Sequence, residues 1–326
     1  MKRLDYYWYR RAPWLLLLLP LAGLFCLLAV MRRWMFRRGL KASRRMPVPV
    51  IIAGNITVGG SGKTPLVLWL ARFLAAHGYR PGLVSRGYGG NAERWPQRVT
   101  AQSDAALVGD EAVLLAQRSG CPMVVGPDRV AAAEQLLAEY PVDIIISDDG
   151  MQHYRLQRDI EIAVLDGTRR LGNGYCLPAG PLREPAARLA SVDFVVCNGV
   201  AEEGEWPLSL DGDEALALQA DEARRPLAEF GATPVHAVAG IGHPQRFFDF
   251  LRDKGMEVIP HDYPDHHPFA AGELDFADDY PVLMTEKDAV KYRRYATERH
   301  WYVPVAATLP DEFGTRLLAA LEKHHG

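Results

Sequence analysis

Apolar positions divide the chain into three unlike stretches. The first is a continuous run, APWLLLLLPLAGLFCLLAVM, in which Ala12 to Met31 carry no charge. At about 1.5 Å per helical residue, such a run matches a hydrocarbon core of roughly 30 Å and predicts a membrane helix. Trp14 and Trp34 lie near its ends, and Tyr6, Tyr7, Trp8 and Tyr9 precede it, as interfacial anchors do. A cleaved signal peptide is the competing reading. The run is long for one, and no small-residue cleavage site precedes the arginines from Arg32 onward. Pro20 leaves open a kinked or partly embedded helix.

From residue 46 the pattern changes. VPVIIAGN, RPGLVS, PMVVG, DIIIS, IEIAVLD and DFVVC are short apolar runs that predict strands. Between them, PLVLWLARFLAAHG, DEAVLLAQRSG and RVAAAEQLLAEY have helical spacing. This alternation is the layout of a parallel sheet covered on both faces. After a polar, acid-rich region at 201–231, a second series begins: PVHAVAG, a helix PQRFFDFLRDKG, MEVIPH, YPVLMTE and WYVPV.

The junction of the first strand and helix, GNITVGGSGKTP, carries the most specific chemistry. Gly59, Gly60 and Gly62 let backbone amides close around phosphate oxygens at the positive end of a helix. Lys63 is placed to reach the β- and γ-phosphates of a nucleotide, and the Thr64 hydroxyl to ligate Mg²⁺. The nucleotide-binding set is Thr57, Val58, Gly59, Gly60, Ser61, Gly62, Lys63 and Thr64. The general P-loop pattern wants glycine where this chain has Thr57, which alters the entry to the loop and not the amides nearest the phosphates. The predicted fold is therefore α/β, a P-loop NTPase-like parallel sheet domain with a second, smaller α/β domain and an N-terminal membrane helix. The expected divisions are 1–40, 41–230 and 231–326.

A carboxylate at the end of another strand is the natural companion of a P-loop. VDIIISDDGMQH puts Asp148 and Asp149 there, and Asp148 resembles the Walker-B aspartate. Asp110 and Glu111 open a helix, where capping is the plainer reading. Arg86, Arg129 and Arg183 sit beside glycine or proline turns and either bind phosphate or stay solvated. HDYPDHHPF gathers His261, Asp262, Asp265, His266 and His267; adjacent histidines in a Pro-bounded loop fit one His–carboxylate pair better than a zinc motif.

Charge sharpens the division of the chain. Residues 1–45 hold eleven Lys/Arg and one acid, a net of +10, within a total of −3 that leaves −13 for the rest. More of these cations follow the apolar run (Arg32, Arg33, Arg37, Arg38, Lys41, Arg44, Arg45) than precede it (Lys2, Arg3, Arg10, Arg11). The positive-inside rule then puts the large C-terminal part in the cytoplasm. Cys26, Cys121, Cys176 and Cys197 have no C-x-x-C spacing and suggest neither a disulfide framework nor a thiolate zinc site.

The ordered set of N-terminal anchor, GNITVGGSGKTP, SRGYGG, GDE, GPDR, DDGMQH, GPLREP, DHHPF and TEKDAVK resembles the tetraacyldisaccharide 4′-kinase family over most of the chain. The Thr57 spelling is normal in that family. The resemblance implies transfer of the ATP γ-phosphate to the 4′-hydroxyl of a tetraacylated glucosamine disaccharide 1-phosphate, giving lipid IVA in lipid A biosynthesis. It also implies Asp110 as general base with His266 as its partner, Lys63 on the phosphates, and Thr64, Asp148 and Asp149 around Mg²⁺. The expected partners are the lipid and an anionic inner-membrane leaflet, with the body on the cytoplasmic side and neither nucleic acid nor an obligate protein partner. A MinD/ParA-like switch would need lysine at Val58, and a GTPase would need the lysine of TEKD one place earlier than Lys287.

Overall fold

The structure, a computed structural model, describes residues 4–10, 12–219 and 223–325. Lys2, Arg3 and Arg11, which enter the charge asymmetry, lie outside the described residues.

Among the described residues the larger sheet has nine strands. Seven run parallel, in the order Trp206–Asp211, Phe194–Asn198, Ile160–Asp166, Val50–Gly54, Ile144–Asp148, Pro81–Ser85 and Met123–Val125. Antiparallel strands Ala306–Thr308 and Gln97–Val99 close its two edges. The central strand Val50–Gly54 is buried at every position, as expected of a strand covered on both faces. Ile51 and Ala53 enter one core, shared with helices Lys63–Ala76 and Asp110–Ser119; Val50 and Ile52 enter the other, shared with helix Arg129–Glu139. The last helix, Asp311–His325, seats Phe313, Leu317 and Leu321 in the first of these cores.

The smaller sheet has the order Arg224–Pro226, Glu214–Ala217, His300–Val303, Val282–Thr285, Val235–Ala239 and Val258–Asp262. Helix Pro244–Asp253 covers one face through Phe247, Phe248 and Leu251, and helix Glu286–Tyr292 the other through Ala289 and Tyr292. The chain changes sheet between residues 211 and 214 and returns between 303 and 306, not at 230/231. Sheet membership therefore departs from the division expected from hydropathy, because the strands that make the crossing are short, half-exposed and poorly patterned.

At the N-terminus a 3₁₀ turn, Pro13–Leu18, leads into helix Leu19–Arg37. Pro20 falls in the first turn, where its missing N–H interrupts no helical bond, so it starts the helix and does not kink it. Pro13–Arg37 is long and apolar enough to cross a membrane. One side packs on the body through Leu15, Ala22, Phe25 and Cys26, and the other exposes Leu17, Leu21, Leu24 and Leu28. Trp8 is buried and its Nε1 donates to the Pro178 carbonyl, while Arg33 donates to Ser191 Oγ at 2.6 Å.

Candidate active site

Sheet register brings the first parts of the site together. Val50–Gly54 and Ile144–Asp148 are parallel neighbours with Ala53 opposite Asp148, so the glycine loop and the Asp148–Asp149 pair leave the same edge of the sheet. Gly62 caps helix Lys63–Ala76 at φ +95°, and a Cβ there would lie 2.3 Å from Asn198 Nδ2. Only glycine fits that approach. Asn198 Nδ2 donates to the Ser61 carbonyl, and Asn55 Nδ2 donates to Gly59 O and Ser61 Oγ, which pins the loop from both sides.

The unusual loop entry has a local explanation. Thr57 forms an antiparallel bridge with Leu182; Val58 N donates to Pro181 O, and Arg183 N donates to Ile56 O. Residues 56–58 are thus strand-like and fastened to the GPLREP segment, a conformation in which a β-branched residue serves better than glycine. The same ladder delivers Arg183, whose Nη1 meets Asp149 at 3.2 Å, and Lys63 Nζ approaches Asp149 at 3.6 Å. Burial pushes the Asp149 carboxyl up, but the Lys63 and Arg183 charges outweigh it and hold the group at about 2. Asp149 is accordingly an ionised anchor for two cations, at φ +48°.

Asp148 differs sharply from its neighbour. It is 2% exposed, its Oδ2 is offered only a long 3.4 Å bond from Ser85 Oγ, and its Oδ1 has no partner. Burial, reinforced by the Glu111 carboxylate, moves its pKa well above the usual carboxylate range. A buried carboxyl with an orphaned oxygen beside a P-loop suits a divalent cation. Among the described residues no three His, Cys, Asp or Glu side chains form a metal cluster of their own. Arg129, by contrast, is buried and spends its guanidinium on the carbonyls of Gly126, Pro127 and Asp149, so it shapes the turn and is not solvated.

The other wall of the cleft comes from the second sheet. HDYPDHHPF does not act as one cluster: His261 meets His236 and stacks on Phe276, and His267 meets Glu273 at 2.7 Å. His266 turns away from both at φ +61° and places Nδ1 3.0 Å from Asp110 Oδ1 and 3.1 Å from Oδ2. Gly109 at φ +94° lets the helix carrying Asp110 start against the Tyr88 carbonyl; a Cβ there would come within 2.3 Å of that oxygen. Asp110 is 5% exposed and also accepts from Glu111 N at 2.9 Å. Its burial raises its pKa, but the His266 hydrogen bond and the Lys287 charge lower it further than that. Burial lowers the pKa of His266, but the Asp110 hydrogen bond and the Asp110 and Asp265 charges together outweigh burial and the Lys287 charge, so the imidazole titrates above its ordinary value.

These walls enclose a cleft of about 1220 Å³. Val58 to Thr64, Asp148, Asp149 and Arg183 line one side, and His266, Asp265 and Lys287 the other, with Glu111 and Arg86 between. Asp110 stands behind His266 and does not line the cleft. Apolar side chains, including Leu68, Phe250 and Val305, extend the cavity beyond the glycine loop, and Trp8 and Tyr9 close part of it. Sequence reasoning missed Asn198, which carries no motif, and assigned no role to Lys287 although TEKDAVK stood out.

A family model described as LpxK, tetraacyldisaccharide-1-P 4′-kinase, matches residues 14–322. The tetraacyldisaccharide 4′-kinase of Nitrosococcus oceani is 54% identical over 317 residues, covering 97% of this chain and 94% of that one. Its counterpart from Alkalilimnicola ehrlichii is 55% identical over 328 residues, covering all of this chain and 98% of that one. The crystal structure of LpxK from Aquifex aeolicus in complex with ATP superposes with a TM-score of 0.77 at 26% identity, over 93% of this chain and 98% of that one.

Proposed function

The chain belongs to the tetraacyldisaccharide-1-P 4′-kinase family, and from that premise we propose that it moves the ATP γ-phosphate to the 4′-hydroxyl of a tetraacylated disaccharide 1-phosphate. The product is lipid IVA, a lipid A precursor. One observation supports this reading most directly: a phosphate-binding loop and a buried carboxylate–imidazole pair face each other across a single cleft. ATP binding is supported by the ATP complex of the Aquifex relative.

The site residues take these roles. The amides of Gly59 to Lys63 and the Lys63 ammonium hold the β- and γ-phosphates. Asp149 holds Lys63 and Arg183 in place. Thr64 and Asp148 would hold Mg²⁺, which when bound neutralises charge on the transferring phosphoryl. His266 is the group on the cleft wall, so it takes the proton from the 4′-hydroxyl, and Asp110 behind it orients the ring and stabilises the imidazolium. This reverses the order expected from sequence, where Asp110 was the base. An imidazole whose basicity is raised by a carboxylate partner suits this task better than a buried carboxylate held low.

The exposed leucine face of the N-terminal helix and the +10 flank support attachment to an anionic leaflet from the cytoplasmic side, with the acyl chains left largely in the bilayer. Purified protein incubated with γ-labelled ATP, Mg²⁺ and the disaccharide 1-phosphate in detergent should label the lipid fraction. Release of labelled phosphate alone, unchanged by lipid, would make the chain a nucleotide switch instead.

A further inference from the structure

Lys287 has no part in the chemistry above, yet its ammonium sits at the centre of the wall that carries the base. Nζ is 3.0 Å from Glu111 Oε1, 3.0 Å from Asp265 Oδ1 and 3.4 Å from His266 Nε2. It arrives from helix Glu286–Tyr292 of the second sheet, while Glu111 belongs to helix Asp110–Ser119 of the first. Four groups face His266. Asp110 meets Nδ1 from helix Asp110–Ser119, and Asp265 lies 3.8 Å from Nε2 within the same loop. Lys287 meets Nε2 from the helix behind, and the Tyr88 ring packs on the imidazole at 4.8 Å between centroids. Glu111 acts on the ring through Lys287, and the Lys291 charge acts on it through Asp110.

An ammonium has three N–H donors and no acceptor, so a bond between Nζ and Nε2 has Lys287 donating and the imidazole lone pair accepting. The imidazole proton then belongs on Nδ1, where Asp110 accepts it. Without the cation, two carboxylates would face one imidazole and favour its doubly protonated form, which cannot accept a proton. We propose that Lys287 is a positioning residue that keeps the resting His266 proton on Nδ1 and leaves Nε2 as a free-base acceptor beside the substrate hydroxyl. Glu111 and Asp265 hold the ammonium in place for this, and substrate entering the cleft takes over the Nε2 lone pair. The directions of the pKa shifts agree: at His266 burial and Lys287 act downward against the upward pull of Asp110 and Asp265, and at Lys287 burial is outweighed by Glu111, Asp110 and Asp265.

The inference rests on His266 being the base, and its test has an arm that does not depend on activity. In the full-length chain in detergent, ¹⁵N spectra of labelled histidine, assigned by loss of the signal in His266→Gln, report the tautomer directly. We expect Nδ1–H at pH above the His266 titration, although free imidazole side chains favour Nε2–H. In Lys287→Met the His266 titration should move up by about one pH unit, with the acid limb of kcat/KM following it, about tenfold in rate below the limb. Lys287→Arg keeps the charge and should keep the limb where it is, whatever its effect on the plateau. An Nε2–H tautomer in the unmutated chain, which requires no variant to fold, overturns the proposal. So does a His266 titration that stays put or falls in Lys287→Met. A strut between the two sheets would lower activity evenly across pH and leave both readouts unmoved. If the acid limb ignores the His266 titration in every variant, the base assignment fails, and the tautomer still judges Lys287 separately.

Discussion

Asp110 and His266 are separated by 156 positions in the chain and meet as one hydrogen-bonded pair, so their removal should not be additive. Replacing His266 with Ala deletes the proposed acceptor of the 4′-hydroxyl proton; general-base contributions are typically about 10²- to 10⁴-fold, so a loss near 10³ in kcat is expected. Asp110→Ala leaves an imidazole with neither its orienting partner nor a counterion for the imidazolium, and should forfeit most of the same factor. The double variant then loses about 10³ to 10⁴, against about 10⁶ for independent contributions. ATP affinity should be little changed in all three, because the pair lies across the cleft from the glycine loop. A competing account keeps Asp110 as a helix-start residue only, since its Oδ1 also accepts from Glu111 N. That account predicts roughly 1 kcal/mol of lost stability and an unchanged rate in the folded fraction. Single-turnover quench with labelled ATP, isothermal ATP titration and thermal melts on the four proteins separate the two. Additive rate losses would refute the coupled pair, and a lowered Tm with a normal rate would leave the helix start.

Four further outcomes follow from the other wall and the N-terminus. Lys63→Ala should cost about 10²-fold or more in kcat with a near-normal melt, since Asp149 retains Arg183; near-normal turnover in folded protein would remove the P-loop assignment. Gly62→Ala must strain a left-handed position, about 1–2 kcal/mol, and displace Asn198, so ATP binding should weaken at least about tenfold while far-ultraviolet dichroism stays native; unchanged affinity would show that this close approach is not needed. Asp148→Ala should raise the Mg²⁺ concentration for half-maximal rate by about tenfold or more, and an unchanged Mg²⁺ dependence would sink its metal role. Deleting residues 1–38 should abolish co-sedimentation with anionic vesicles and, because Trp8 and Tyr9 line the cleft, also raise KM for the lipid; binding equal to the full chain would place the membrane determinant elsewhere.

The parts of the fold that could be read from sequence are those whose burial leaves a periodic trace. Val50–Gly54, Ile144–Asp148 and Ile160–Asp166 are buried at every position, and their runs of β-branched residues announce it. Trp206–Asp211, Glu214–Ala217 and Arg224–Pro226 are half-exposed and sit toward the margins of the sheets, where packing demands little of the sequence, so in sequence they look like a polar separator. The return of the chain to the first sheet through Ala306–Thr308 and Phe313 is a tertiary event with no local signature. The N-terminal apolar run was legible in length and charge, but its inward side was not: Leu15 and Ala22 look like their lipid-facing neighbours until the body they cover is known.

The same distinction divides the candidate site. The phosphate side is local, a loop between one strand and one helix, in which Gly59 and Gly62 take positive φ and Gly62 also lies against the Asn198 side chain. Thr57 looked anomalous only while the loop was considered alone. Its bridge to Leu182 makes it a strand residue, and the fastening it begins is what aligns Arg183 with Asp149. The acceptor side has no local grammar, because each member serves its own element as well: Asp110 starts a helix, Thr285 caps another just before Lys287, and His266 sits in a Pro-bounded turn. Each is an ordinary residue in its own segment. Their chemistry arises from convergence, since an imidazole with a carboxylate on one nitrogen and an ammonium near the other has a determined proton position that neither neighbour alone would impose. Dividing the work this way puts the nucleotide loop on the first sheet and the proposed base on the second, so the proposed proton acceptor and the phosphate site meet only because both walls line one cleft.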